Sequence, residues 1–247
     1  MNALKRCIAA EWLKLRHSRI WIILAILPVI SVLIGGFNFS MNQGVLTKEW
    51  YSLWSQVGLF YGEFFFPVLI AIVCAYMWRL EHLNKNWHLI MTAPVSAAHL
   101  FLAKWIVSGA LLLMVQLFFS LLYVLAGMMA GITSALPAEL PGWLARGWIS
   151  ALSISSLQLA ISALVRSFAA PIGIGLCASF LGLGMYVFDL GLYFPHSLLT
   201  VGMGVLSQTG LPRGELALYL AMNGLYMAAP GAWVIRRRRT SDVVSST

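Results

Sequence analysis

From Ile20 to Phe39 the chain runs without a charged residue. A helix of that length, at ~1.5 Å per residue, reaches across the ~30 Å hydrocarbon layer of a bilayer. The same kind of run recurs along the chain and predicts spans at 20–39, 56–78, 105–130, 148–165, 168–188 and 216–235. The second span rests on geometry. Phe64 to Trp78 alone is about 22 Å long and falls short of the layer, so its helix must start near Gln56, which draws Glu63 into the apolar region. Soluble domains carry about a quarter charged residues. Here 60% of the residues are hydrophobic and 10% charged, so lipid is the expected solvent.

The segments between the runs give the organisation. Residues 1–19 place Leu4, Ile8, Trp12 and Leu15 at helical spacing among Lys5, Arg6, Lys14 and Arg16, the pattern of a basic amphipathic helix lying on a membrane surface. The apolar run that follows is long enough to span and carries no small-residue cleavage site, so it is expected to be retained. Residues 79–104 form a polar interlude. Residues 131–146, broken by Pro137, Pro141 and Gly142, read as an outer loop. Residues 189–214 are apolar yet interrupted by Gly191, Pro195, Gly202, Gly204, Gly210 and Pro212, which suits an outer re-entrant or interfacial hairpin better than a seventh crossing. Arg236 to Arg239 read as the stop after the last span. The expected fold is therefore an all-α integral membrane protein, a single domain over 1–247, with six transmembrane helices, an N-terminal interfacial helix and an outer re-entrant segment.

Six spans place both termini on one side. If that side is cytoplasmic, only Lys48, Arg146 and Arg213 of the 16 lysines and arginines lie outside, as the positive-inside rule requires. The net charge of +8 is thus a topology signal. Nucleic acid is not an expected partner, because no stretch is available to fold into a soluble binding domain.

Glu63 is the conspicuous charge within a span. An acidic side chain at mid-bilayer depth costs about 2.5–3.5 kcal/mol on insertion scales. Two readings stand: a contact for a cationic or amphipathic substrate or a gating pair, and a water-exposed interfacial carboxylate. Asp189 and His196 flank the re-entrant segment and are further pathway candidates. Gln116, Gln158 and Asn223 are expected to bond neighbouring helices, and Gly58/Gly62 and Gly127/Gly131 to serve close packing. Cys7, Cys74 and Cys177 read as buried, inert thiols. The five histidines lack metal-ligand spacing, and no HExxH, GxSxG, SxxK or Walker A pattern occurs. No catalytic residue, metal site or cofactor of the chain's own is expected.

The interlude combines Glu81, an amphipathic middle (Trp87, Leu89, Ile90), a turn at Pro94 and Val95, and a closing Lys104. Proline after small residues interrupts a helix, so the segment can lie along the surface and present a short knob. On residue types alone an ordinary loop fits equally well. The order Glu81, Leu89, Ile90, Pro94, Val95, Ser96, Lys104, together with the entry segment Glu11 to Ser18, resembles the type-2 ABC exporter permease superfamily. His82 to Trp87 departs from the wider family pattern, and with the chain length is similar to the lantibiotic-protection and bacitracin-type subgroup.

The resemblance implies a permease domain whose interlude is a coupling element for a separate ATPase, with Glu81, Trp87, Leu89, Ile90, Pro94, Val95, Lys104, Glu11 and Lys14 as coupling residues. It further implies two ATPase copies carrying ATP and Mg, a second permease subunit (identical or related), membrane lipid as surroundings, and a bacterial cell membrane location. The implied cargo is an amphipathic peptide antibiotic, giving self-protection. Export of a lipid, glycan or small drug, or a non-transporting assembly or sensor role, remains open on the residues alone.

Overall fold

The computed structural model describes residues 3–16, 18–82 and 96–244. Among them it is all helical, with no strand. A first helix α1 (Ala3–Arg16) leads into α2 (Ile20–Met41). Next comes a composite rod: α3 (Glu49–Leu59), a π-helical turn (Phe60–Phe65) and α4 (Phe66–His82). After the interlude follow α5 (Ala97–Met129), α6 (Leu140–Leu164), α7 (Ala169–Val187), the short α8 (Pro195–Met203) and α9 (Arg213–Val244). Six of these helical stretches are long and apolar enough to cross a membrane, the α3–α4 rod counting as one.

Several boundaries move, each for a physical reason. The second span begins at Glu49, seven residues before the expected Gln56, because Trp50, Leu53, Trp54 and Val57 make a buried seam. α5 begins at Ala97, with Ser96 accepting the His99 N–H as its cap, so Lys104 lies inside the helix. α6 takes in residues expected to be loop. Pro141 sits in its first turn, where a missing N–H costs nothing. Arg236 to Arg239 do not end α9, which continues to Val244. The 189–214 region is not a hairpin of helices: it holds one short helix, α8, ended by Gly204 in the left-handed region (φ 58°).

The π-helical turn has a local cause. Pro67 has no N–H to return to the carbonyl of Glu63, and a wider turn just before it relieves the lost bond and the ring clash.

α6 is the central stave, with two thirds of its most apolar window buried. Its buried face is built from serines and alanines, including Ser150, Ala151, Ser153, Ser155 and Ser156, which let neighbouring backbones approach closely. α7 and α9 are buried over only 22% of theirs, leaving Ile174, Phe180, Leu181 and Leu225 exposed, as lipid-facing helices should be. α2 and the rod meet backbone to backbone: a Cβ at Gly35 would lie 2.5 Å from Val57 Cα, and the Ser31 hydroxyl donates to Val57 O across the seam. The expected polar links hold for Gln116, whose Oε1 accepts from Tyr61 Oη at 3.1 Å, and Asn223, whose Oδ1 accepts from Ser153 Oγ at 2.6 Å. Gly127 packs under the Trp50 ring as expected. Gly131 does not pack. It lies at φ 77° with open space around it and closes α5, its N–H donating to Met128 O while the Ile132 N–H donates to Gly127 O. Cys74 is buried, but Cys7 is half-buried and Cys177 exposed, which corrects the reading of all three as buried.

Candidate functional site

Two polar constellations stand out, one at each end of the bundle. The first gathers four of the predicted coupling residues at the end that carries both termini. Glu11 lies on the inward face of α1, one turn before Leu15, and both are buried. Trp12, on the apolar face read as membrane-facing, is 41% exposed. Glu81 closes α4 and Lys104 opens α5, and both are buried.

Their geometry makes one ionic knot. Lys104 Nζ donates to Glu81 Oε1 at 2.5 Å, to Glu11 Oε2 at 3.0 Å and to Met77 O at 2.6 Å, which uses all three of its protons. Lys14 Nζ joins from the rim, 2.7 Å from Glu11 Oε1 and 2.8 Å from Glu81 Oε1. The Lys104 ammonium also lies 4.9 Å from the centre of the Trp78 ring. Two carboxylates against two ammonium groups leave no net charge, the condition under which buried ions are tolerated. Burial alone would raise the Glu81 carboxyl, but Lys104 and Lys14 outweigh it and hold it below its ordinary value. Burial would likewise lower Lys14, and Glu11 and Glu81 outweigh it and hold it above its own. The knot ties α1 to the α4–α5 junction, the root of the interlude. The remaining coupling candidates, Trp87, Leu89, Ile90, Pro94 and Val95, lie outside the described residues.

The second constellation surrounds the π-helical turn at the opposite end. Glu63 is 4% exposed, which removes the reading of a water-exposed carboxylate. Its Oε1 has no hydrogen-bond partner. The Thr200 side chain of α8 faces the Glu63 carboxyl closely enough to interact with it, though its hydroxyl meets no partner in full hydrogen-bond geometry. His196, one turn earlier on the same face of α8, is buried with both ring nitrogens unpartnered. α8 itself is held firmly: Trp54 Nε1 donates to Met203 O, and Arg146 Nε donates to Gly202 O, each at 3.0 Å. Gly62 brings the π turn against Met203 and Val205, and Gly182 brings α7 against His196.

Asp189 does not join this set. It is exposed, sits at φ 59° in the turn that ends α7, and donates its N–H to Tyr186 O. That is a capping position which Asp tolerates well. No bond joins it to His196. Thr200 escaped sequence reasoning because a lone threonine in an apolar stretch carries no signal. Its spacing of four from His196 was the available clue.

Six apolar spans, a first helix bound by charge to the root of the polar interlude, and buried polar groups at the far end define a multi-pass membrane protein. A family model described as ABC-2 family transporter protein matches residues 7–182, from α1 through most of α7, and the chain belongs to that family. It is thus a membrane permease component of an ABC transporter, a class that works with an ABC ATPase. No curated protein matches the chain in sequence.

Proposed function

We propose that the chain is the permease subunit of an ATP-driven exporter, in which α1 and the interlude transmit closure of a separate ATPase to the spans. The observation that carries this reading is the ionic knot. A push on α1 or on the 83–95 segment reaches α4 and α5 through buried, fully desolvated charge pairs, which resist displacement more than exposed pairs do. Glu11, Glu81 and Lys104 then act as the linkage behind the contact, while Trp87, Leu89, Ile90, Pro94 and Val95 supply the contact itself. Both termini and the knot face the cytoplasm of a bacterial cell in this arrangement. The working unit holds two permease chains, identical or related, and two ATPases that carry ATP and Mg.

Glu63 and His196, with Thr200, form the cargo-facing set, and Asp189 stands at the rim. An unpaired buried carboxylate suits a cationic or amphipathic cargo, and the similarity at His82 to Trp87 supports a peptide antibiotic removed in self-protection. The test is co-purification. Charged substitutions at Trp87, Leu89 and Val95 are expected to abolish capture of the ATPase by the tagged permease while leaving its membrane insertion intact. ATPase capture that survives all three substitutions removes the coupling role.

A further inference from the structure

A third polar feature has no part in either constellation. Between the ends of α4 and α6 and the start of α7 lies a cavity of about 350 Å³, on the same end of the bundle as the knot. Arg79, His82, Ser162, Arg166 and Ser167 line it over an apolar floor that includes Phe168. Among the described residues none of the lining is acidic, and the nearest carboxylate along the chain, Glu81, is turned into the knot.

Four of the lining groups, Arg79, Ser162, Arg166 and Ser167, suit an anion, and His82 braces the wall. The Arg79 guanidinium lies 5.4 Å from the centre of the Phe168 ring, and such stacking occupies its face while the in-plane N–H fork stays available. Arg166 is exposed at the mouth. His82 Nε2 lies 2.8 Å from Ser162 O and must donate there, since a carbonyl only accepts. Ser162 is 2% exposed, yet its hydroxyl has no partner, so a buried donor stands unused in the wall. The Ser167 hydroxyl accepts the Ala170 N–H at the start of α7, where the first amides and the helix dipole favour negative charge.

We infer that this cavity binds the phosphodiester headgroup of an anionic phospholipid. A lipid, in preference to a soluble phosphate, is indicated by what adjoins the cavity. Phe168 is exposed at its mouth, and α7 leaves from there with Ile174, Leu176, Phe180 and Leu181 turned outward, a track on which acyl chains can lie. The headgroup would bridge α4, α6 and α7. The site does not rest on the export reading, and its test reads no transport.

The experiment uses the full-length chain in a zwitterionic detergent. It is titrated with phosphatidylglycerol, with phosphatidylcholine of the same acyl chains, and with sodium phosphate, and bound molecules are counted by native mass spectrometry. One phosphatidylglycerol is expected to bind in preference to phosphatidylcholine and to resist millimolar phosphate. Arg79→Gln and Arg166→Gln should each weaken it about fivefold, the effect of about one basic group at an anionic surface. Arg213→Gln, at the opposite end, should leave it unchanged. Arg166 is exposed, so that variant alone suffices if Arg79→Gln fails to fold. Equal binding of the two lipids, or unchanged binding in Arg166→Gln, overturns the site. Displacement by phosphate assigns it to a soluble anion and overturns the lipid.

Discussion

The two ends of the bundle treat buried charge in opposite ways. At the end bearing the termini, Lys104 spends every proton on a partner and the four ionic groups cancel. At the other end Glu63, Thr200 and His196 are as deeply buried but hold polar atoms with nothing bonded to them. The knot leaves one buried oxygen, Glu81 Oε2, without a hydrogen bond, but its charges are compensated and fix its geometry, whereas uncompensated buried groups are costly unless something else meets them in the working cycle. On the proposed reading, the difference separates a joint that must hold from a surface that must respond.

That contrast can be broken most forcefully at Lys104. Lys104→Met leaves two buried carboxylates with only the half-exposed Lys14, and breaking a buried pair in this way costs about 3–5 kcal/mol. Unfolding of the purified chain should show a loss of that size, and adding Glu81→Gln should restore part of it. A loss below about 1 kcal/mol would mean that the knot is not a joint. Glu63→Gln should behave in the reverse manner. Its stability should hold or rise, because no native bond is lost, while transport with the partner ATPase falls about tenfold, near the ~1.5 kcal/mol lower bound for a hydrogen bond to a charged group. Unchanged transport would leave Glu63 a packing residue.

The smallest effect is the pH window of the knot. The Glu81 carboxyl is held below its ordinary value, so its contribution is present above about 4.5 and is lost as pH falls through the lowered folded value. The Lys14 ammonium is held above its ordinary value. Its contribution is present below about 10.5 and is lost as pH rises through the raised folded value. Melting temperature against pH should therefore show a plateau flanked by two falls, both flattened in Lys104→Met. A profile identical in the variant would detach the falls from the knot.

How much of this was legible in the sequence follows from the range of each signal. The apolar runs are local, and all six spans could be read from them. Glu63 was legible because one charge stands out in an apolar field. The knot was legible only in pieces: Glu11, Lys14, Glu81 and Lys104 each stood in a recognisable segment, but their meeting is a tertiary fact. Placing Lys104 outside its helix hid that the helix would carry it inward. Arg79 and Arg166 read only as topology markers, since nothing in their neighbourhood in sequence shows that α4 and α6 end beside one another.

The π-helical turn at 60–65 also resets the phase of the second span. At ~3.6 residues per turn, the buried seam Trp50, Trp54, Val57, Tyr61 would run on, unbroken, through Val68, Ile72, Tyr76 and Arg79. Those positions are half-buried or exposed, while Leu69, Ile70, Val73, Cys74 and Met77 lie inside. One rod thus shows two differently oriented faces, the outer one matched to α5 and α8 and the inner one to α6 and the knot. The two halves answer to different neighbours, although they belong to one continuous rod.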